Sequence, residues 1–416
     1  MYDTTTQAKA FKDYIAPGVV AEIKARSKIY ERIQKSDKLI LGGHTAKQKV
    51  LIRASQASRA GNSDAYPTPA ESTPEEVTVV LKRAQMFSLQ WSGFALEAAA
   101  KGGAVQDPVI FEKTGIVMTL RDDMSRQLLW DGSGRLCQAK GLGSTTATLV
   151  VDSPYLLTEP TKFLKNGRII DAYDPADDSH DIDSIAILTK DSPTQVTLAT
   201  TQSWADDSWI YNEDTWRKTE AVSLGEMMGL LGICSDADPP TGALQGLDVA
   251  GYPEWKAAVK TSDSMRPFSE DLLISALDEA SEWGDPTFAL ITKKIRRVYR
   301  AYLSGLKVFG DQSKIMWGGW VGLPFLYDGK EIPLVPDNFV PDGHIIGGDE
   351  KKLTIYLTSA GKDGDEVTWE VGDSGKIMQK VAGYNRFTAE GHIFANMGVS
   401  VRASFFKIDK IEEPTA

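Results

Sequence analysis

The chain has 416 residues, of which 42% are hydrophobic and 25% are charged, which is the composition of a globular protein with about two or three domains. Its net charge of −11 argues against tight nucleic-acid binding by the chain as a whole, because phosphate contacts dominate that affinity. The two cysteines, Cys137 and Cys234, indicate folding in a reducing compartment without a disulfide framework, and no apolar run is long enough to span a membrane.

The charge is distributed unevenly along the chain. Residues 1–53 carry 11 basic and 5 acidic side chains, a net charge of +6, whereas residues 145–218 carry 6 basic and 13 acidic ones, a net charge of −7. The basic segment could contact nucleic acid or an acidic protein surface, or it could be the solvated face of a helix.

The first part of the chain predicts a helix followed by a long β-hairpin. Apolar residues at helical spacing predict the helix over residues 18–36. Two short β-branched runs, 49–53 and 77–83, predict strands on either side of a polar loop at 54–75. The hairpin has almost no apolar face of its own. The loop is therefore either a disordered surface loop or a projecting arm that becomes ordered against a neighbouring molecule.

Two helices are predicted next, a short one over residues 86–100 and a long one over 107–131. Asp107 suits the N-cap of the long helix, because its carboxylate can accept from free backbone N–H groups, and Pro108 fits the first turn. One apolar stripe recurs at steps of three and four residues: Val117, Leu120, Met124 and Leu128. The charged side chains fall off this stripe and are expected on an exposed face: Arg121, Asp122, Asp123 and Arg126.

The region after the long helix is rich in predicted strands. Within residues 145–218, short β-branched runs separated by turn-forming residues predict a small β-barrel or sandwich inserted in the chain. These runs are 148–151, 168–170, 185–188 and 195–198. Farther on, a helical stripe over 272–280 precedes a predicted strand at 288–291. Further strands are predicted near the C-terminus: 353–356, 366–369 and 399–406.

The sequence carries none of the spacings typical of a catalytic, cofactor or metal site. Its four histidines and two cysteines form no zinc-ligand pattern, and Ser133 lies in Asp-Gly-Ser-Gly rather than in a nucleophile elbow. An acidic cluster could bind a hard cation but lacks the glycine turn and closing glutamate of known calcium loops: Asp177, Asp178, His180, Asp181 and Asp183. We predict no enzymatic activity, no cofactor and no metal, with both cysteines as buried apolar fillers.

The order of these parts resembles that of tailed-bacteriophage major capsid proteins with the HK97 fold. The run from Leu128 to Gly134 resembles the family's helix-to-glycine junction, and later matches lie at 244–257, 269–287 and 332–346. The resemblance implies an α+β protein with the following parts: an N-terminal arm (1–45), an extended hairpin loop (46–85), a peripheral domain (86–144) with the spine helix 107–131, an inserted β-rich domain (145–218), an axial domain (219–350) and a return to the peripheral domain (351–416).

The resemblance also implies a structural role and not an enzyme. Such a protein self-assembles as hexamers and pentamers into the icosahedral head of the virion, and encloses double-stranded DNA without sequence-specific binding. Assembly is expected in the host cytoplasm, without a membrane, and scaffolding, portal and decoration proteins are expected as further partners. The alternatives are an encapsulin-type compartment shell on the same fold, a β-rich tail or adhesion protein, and a hydrolase.

Basic side chains on the hairpin and the long helix are the expected inter-subunit contacts: Lys49, Arg53, Arg59, Lys82, Arg83, Arg121 and Arg126. We expect the basic N-terminal segment to lie on an acidic surface of a neighbouring subunit rather than on DNA. The family's covalent cross-link joins a Lys–Asn pair, and neither Lys82 nor Asn396 is assigned to it.

Overall fold

The chain forms two compact units in this computed structural model. Unit 1 comprises Met1–Leu128, Gln245–Trp255 and Glu350–Val401, and unit 2 comprises Leu129–Leu244, Lys256–Asp349 and Arg402–Ala416. The structure describes residues 32–36, 45–53, 57–58, 73–94, 108–215, 226–305, 314–315, 321–357, 368–370, 379–381 and 383–414.

The described residues form an α+β protein, as predicted. The helices are α1 (Pro108–Gln127), α2 (Leu230–Ile233), α3 (Glu270–Ser281) and α4 (Lys293–Gly305). The strands are β1 (Gln34–Ser36), β2 (Thr45–Arg53), β3 (Thr73–Val80), β4 (Lys82–Ser92), β5 (Cys137–Ala139), β6 (Gly143–Asp152), β7 (Ile169–Tyr173), β8 (His180–Ser192), β9 (Gln195–Trp204), β10 (Trp209–Asn212), β11 (Ala258–Lys260), β12 (Phe288–Ile291), β13 (Lys314–Ile315), β14 (Val321–Tyr327), β15 (Lys330–Pro336), β16 (Ile345–Gly348), β17 (Leu353–Leu357), β18 (Thr368–Trp369), β19 (Gln379–Lys380), β20 (Arg386–Val399) and β21 (Phe405–Ile408).

The sheet of unit 1 is built around the 14-residue strand β20. β4 pairs antiparallel with it from Ser92 opposite Arg386 to Lys82 opposite Ala395. β17 pairs antiparallel with the C-terminal part of β20, and the short strands β18 and β19 pair with its N-terminal part. β1 adds to β17 in parallel, so the last residues of the predicted helix over 18–36 are a strand, and that part of the prediction is wrong.

Strand β4 replaces the helix that was predicted over residues 86–100, so that prediction is wrong up to Ser92. The side chains of Phe87, Leu89 and Trp91 are buried, whereas the residues between them are exposed. This alternation has the period of two that a half-buried strand requires. Phe87 and Trp91 also stand four residues apart, which is why the same sequence fits a helix. Residues 95–100 lie outside the described residues.

Strands β2 and β3 form the predicted antiparallel hairpin, but the prediction that it lacks an apolar face is wrong. Buried side chains alternate along both strands: Val50, Ile52, Val77 and Val79. Val79 also packs with Ala46, Leu81 and Tyr356 in one small core. The hairpin therefore has a buried side and an exposed side. Most of the predicted loop at 54–75 lies outside the described residues.

Residues 245–255 hold the hairpin and the sheet together within unit 1. The carbonyl oxygen of Gln245 accepts from Thr78 N at 3.3 Å, and its side-chain Oε1 accepts from Val399 N at 2.8 Å. Tyr252 donates its hydroxyl to Glu75 at 3.3 Å. The prediction that residues 219–350 form one axial domain is therefore wrong for this segment, which belongs to unit 1.

Helix α1 is shorter at its C-terminal end than the predicted span of 107–131. After Gln127 the chain turns, and Gly132 takes the expected positive φ of 77° beyond the helix end. Leu120 and Met124 are buried as predicted, while the side chain of Val117 lies outside the described residues. The described members of the predicted stripe are buried, but they do not form a separate face, because Arg121, Asp123 and Arg126 are buried as well.

Unit 2 contains a closed β-barrel, in the strand order β10-β5-β6-β9-β8-β7. Its interior is filled by alternate apolar residues, which include Leu149, Val151, Ile170, Ile182, Val196, Leu198 and Ile210. A side chain on Gly143 would place its Cβ 2.2 Å from the Trp204 ring, so only glycine fits there. The barrel begins with β5 at Cys137, so the predicted domain start at residue 145 is wrong and falls inside β6.

The rest of unit 2 is a seven-stranded sheet, ordered β11-β21-β16-β12-β15-β14-β13. α3 and α4 cover one face of it through a shared core that includes Leu273, Leu277, Ile295, Tyr299, Phe325, Leu334 and Phe406. α3 contains the predicted helical stripe over 272–280, and the Ser269 hydroxyl caps its first turn by accepting from Leu272 N at 3.3 Å.

The chain end divides between the units. β20 lies in unit 1, whereas β21 pairs with β11 and β16 in unit 2. The prediction that residues 351–416 return together to the peripheral domain is therefore wrong at its end. The strand predicted over 399–406 is interrupted by a 3-10 turn at Arg402–Ser404, where the chain passes from one unit to the other. In the described part of the chain, no helix is long and apolar enough to cross a bilayer.

Candidate inter-subunit surfaces

The hairpin carries both signs of charge on its exposed side. Lys49 is exposed on β2, opposite Glu76 in the strand register. Lys47 donates a hydrogen bond to Glu76, which lowers the pKa of that carboxyl group. Arg53 is the last residue of β2, and Arg59 lies outside the described residues. Lys49 is therefore the one predicted contact on this hairpin whose exposure the structure supports.

Lys82 and Arg83 lie at the start of β4, opposite Ala395 and Phe394 of β20. The side chain of Lys82 is buried, with 9% of the residue exposed, and this burial lowers its pKa to about 8. Asn396 donates from Nδ2 to the carbonyl oxygen of Val80 at 2.7 Å. Lys82 is thus buried within its own subunit. Its role as an inter-subunit contact stays a prediction, and its low exposure does not support that role.

The expected charged face of α1 is not exposed. Arg121 has 6% of its surface exposed and Arg126 has 0%, and Asp123 is buried beside them. One Nη of Arg121 lies 3.3 Å from the Asp122 carboxylate. The prediction of exposure is wrong because residue polarity alone does not fix burial, since the long arginine stem packs against apolar surface. An inter-subunit role was predicted for these two arginines because they were expected to be exposed, and their burial removes that reason.

The architecture has counterparts among solved capsid structures. A chain of the cyanophage A-1(L) capsid asymmetric unit matches with a TM-score of 0.51 and 11% identity, and 93% of each chain is covered. The chain has an HK97-like capsid fold. A structure from Mycobacterium phage Bobi is less similar, with a TM-score of 0.44, 10% identity, and 92% of this chain and 90% of that chain covered.

An encapsulin complex is similar at the same level. The holo-SrpI encapsulin complex from Synechococcus elongatus PCC 7942 gives a TM-score of 0.43 at 10% identity, with 93% of this chain and 89% of that chain covered. No family model matches the sequence, and no curated protein matches it significantly. The HK97-like fold is therefore visible in the backbone arrangement and not in sequence identity.

Within this HK97-like fold, α3 and α4 carry opposite charges that the sequence analysis missed. The exposed charged residues of α4 are basic: Lys293, Arg296, Arg297 and Arg300. The exposed charged residues of α3 and of its C-cap, Glu282, are acidic: Asp271, Asp278, Glu279 and Glu282. The sequence pattern that could have revealed the basic helix runs from Lys293 to Arg300. In this run Ile295 and Tyr299 are four residues apart and form the buried side, and basic residues lie between and around them.

The acidic side chains in and after β7 accept hydrogen bonds from the turns of the barrel. Asp181 accepts from Ser208 Oγ at 2.7 Å and from Ala205 N at 2.9 Å. Asp171 accepts from Ser184 N at 2.9 Å and from Asp214 N at 2.7 Å. His180 stacks on the Tyr173 ring with centroids 4.4 Å apart. Asp171, His180 and Asp183 could bring ligand atoms within 4.8 Å of one another, but backbone groups already occupy both Asp171 oxygens.

Both cysteines are buried as predicted. Burial raises the pKa of the Cys137 thiol, and it raises the pKa of Cys234 to about 12. A thiol must ionise to act as a nucleophile, so neither side chain has the environment of a reactive cysteine.

Proposed function

We propose that the chain is a major capsid protein, which self-assembles into the icosahedral head of a tailed bacteriophage. The observation that carries this proposal is the HK97-like fold, shared with a phage capsid chain over 93% of both chains. A match of this extent spans most of both chains. A partial match to a common sheet motif would support much less.

The side-chain chemistry supports a structural role and not a catalytic one. The polar residues after α1 are engaged with one another: Asp131 accepts from Ser133 Oγ at 2.6 Å and from the Tyr155 hydroxyl at 3.0 Å. Burial beside Asp131 raises the pKa of Tyr155, which keeps this hydroxyl protonated as a donor. These groups hold the start of the barrel in place, as expected of a protein whose function is its shape.

The overall charge supports enclosure of DNA without specific binding. At −11, the chain repels phosphate on average, which would leave packaged double-stranded DNA free to move inside a shell. In this role the protein would assemble as hexamers and pentamers in the host cytoplasm and remain in the virion. Scaffolding, portal and decoration proteins would be its further partners.

The test is to express the full chain, purify it, and examine it by light scattering and negative-stain electron microscopy. Closed particles are expected. Their contents separate the proposal from the encapsulin alternative: nuclease-protected DNA in particles from infected cells supports a phage head, whereas a co-purified enzyme cargo supports a compartment shell. A protein that stays monomeric at every concentration would overturn both readings.

A further inference from the structure

We propose that the basic face of α4 on one copy of this chain docks on the acidic face of α3 on the next copy, head to tail around a ring. The proposal rests on the proposed self-assembly and names the contact that closes each ring. It is carried by opposite charges on two helices that share one sheet face.

The α4 face is a rigid cationic surface. Ile295 and Tyr299 are buried in the core, and Tyr299 donates its hydroxyl to the Pro324 carbonyl at 3.2 Å, which fixes the side of the helix that faces the sheet. Arg296 and Arg297 point away from this anchor and are exposed. Among the described residues, no acidic side chain lies within ion-pair distance of either arginine.

The α3 face is the acidic counterpart. Leu273 and Leu277 anchor the helix in the same core. Asp271 and Glu282 stand eleven residues apart, which is close to three full helical turns, so both lie along one side of the helix. Both are exposed, and neither has an ion-pair partner in the part of the chain that is described. Glu279 differs, because it pairs with Lys260 of the neighbouring strand β11.

A second copy fits these two faces better than DNA does. Both helices cover the same face of the sheet, so a polyanion lying on α4 would come close to the carboxylates of α3. In a ring of copies, the α4 face of each chain meets the α3 face of one neighbour, and its α3 face meets the α4 face of the other neighbour. A contact between two different surfaces of identical chains is heterologous, and heterologous contacts are the kind that close into rings. Opposite charges would also fix the register of the contact and repel wrong pairings.

Charge reversal tests the pairing directly. One variant carries Arg296→Glu with Arg297→Glu, a second carries Asp271→Lys with Glu282→Lys, and a third combines all four changes. The control carries Lys140→Glu with Lys256→Glu, two exposed lysines outside both helices that give the same change in net charge as the first variant. Circular dichroism and melting curves establish that each variant folds. Native mass spectrometry counts the copies in each ring.

In each two-residue variant, the fraction of protein assembled into rings should fall by about tenfold or more, because like charges then meet at the contact. The combined variant and the control should form rings as the parent does. A mixture of the first two variants should form rings of even number only, since complementary faces then alternate. Hexamers should return in the mixture while pentamers stay absent.

Three results would overturn the proposal. The first is parent-like ring formation by either two-residue variant, including the case in which only DNA retention falls, which would make α4 a DNA contact. The second is a folded combined variant that does not recover rings. The third is a control that loses rings equally, which would trace the effect to net charge.

If the parent forms rings but no closed shell, the proposed capsid function fails while the α3–α4 contact stands. A parent that forms neither overturns both.

Discussion

Arg402 donates from Nε to the carbonyl oxygen of Ile233 at 3.0 Å, deep inside unit 2. Its Nη2 donates to the carbonyls of Gly232 and Ala237 at 3.1 and 2.7 Å. These carbonyls lie at the C-terminal end of α2 and in the turn after it, where backbone acceptors lack helical partners. One fully buried guanidinium thus fastens the segment before β21 to a short helix that is distant in the sequence.

Replacing Arg402 with Met keeps most of the side-chain volume but removes these three hydrogen bonds. The free energy of unfolding should fall by about 2–4 kcal/mol, because buried carbonyls are left without donors. Urea denaturation of the purified protein measures the loss. Lys410→Met, at an exposed position in the same segment, should leave the urea midpoint unchanged. Equal midpoints for both variants would mean that Arg402 contributes nothing to holding this segment.

The buried surroundings of α1 give a second prediction. Leu120→Ala should cost about 2–5 kcal/mol, as expected for a buried leucine. Arg126→Ala should cost a comparable amount, because its side chain is fully buried and its removal leaves both a cavity and altered polar contacts. Met118→Ala is the control, since Met118 is 46% exposed on the same helix. Differential scanning calorimetry on all three variants ranks the losses, and a small loss for Arg126→Ala would contradict its burial.

The sequence predicted correctly those elements whose residue pattern fits only a helix or only a strand. α3 has an unbroken apolar stripe, and the strands of the barrel are short, β-branched and separated by turn residues. β4 was missed because Phe87 and Trp91 fit a strand and a helix equally well, and the choice depends on pairing with β20, which is about 300 residues away in the chain. Such long-range pairing is not encoded in local periodicity.

Excision of the β-barrel gives a third prediction. The chain enters and leaves the barrel at adjacent points, because Leu136 N donates to Ile210 O at 2.8 Å and Cys137 pairs with Ile210. Replacing residues 137–212 with a short Gly/Ser bridge should therefore leave a soluble, folded remainder. Replacing 145–218 instead should give an insoluble protein, because it cuts β6 and leaves β5 without either of its partner strands. Equal solubility of the two deletions, measured after lysis, would contradict the barrel boundaries.

The buried cysteines give a fourth prediction, which concerns pH. Burial raises the pKa of Cys234 to about 12, against about 8.5 in the unfolded chain. A group whose pKa is raised by folding contributes stability that is complete below the unfolded pKa and is lost as the pH rises toward the folded pKa. The free energy of unfolding should therefore fall by about 1.4 kcal/mol per pH unit above about pH 8.5 for this thiol.

Urea denaturation between about pH 8 and 10 measures this slope, and Cys234→Ala should reduce it. Lys190→Ala, on the exposed surface of the barrel, serves as the control and should keep the parental slope. A slope unchanged by Cys234→Ala would mean that the thiol is accessible to water and ionises in the folded protein.

The candidate contact surfaces were harder to predict than the fold. The sequence identified basic residues by type, yet Lys82, Arg121 and Arg126 are buried, because only the packing of α1 and β4 decides which charged side chains reach solvent. The opposite charges of α3 and α4 can be counted from the sequence. The placement of the two helices on one face of the sheet depends on the order of β11, β21, β12 and β15, which the sequence does not give.

The central claim, that this chain builds an icosahedral shell, is tested most directly by cryo-electron microscopy of the assembled protein. The account predicts closed particles in which five or six copies surround each ring axis, every copy carrying α1, the sheet around β20 and the barrel. Particles without icosahedral symmetry, or a discrete small oligomer at every protein concentration, would contradict it.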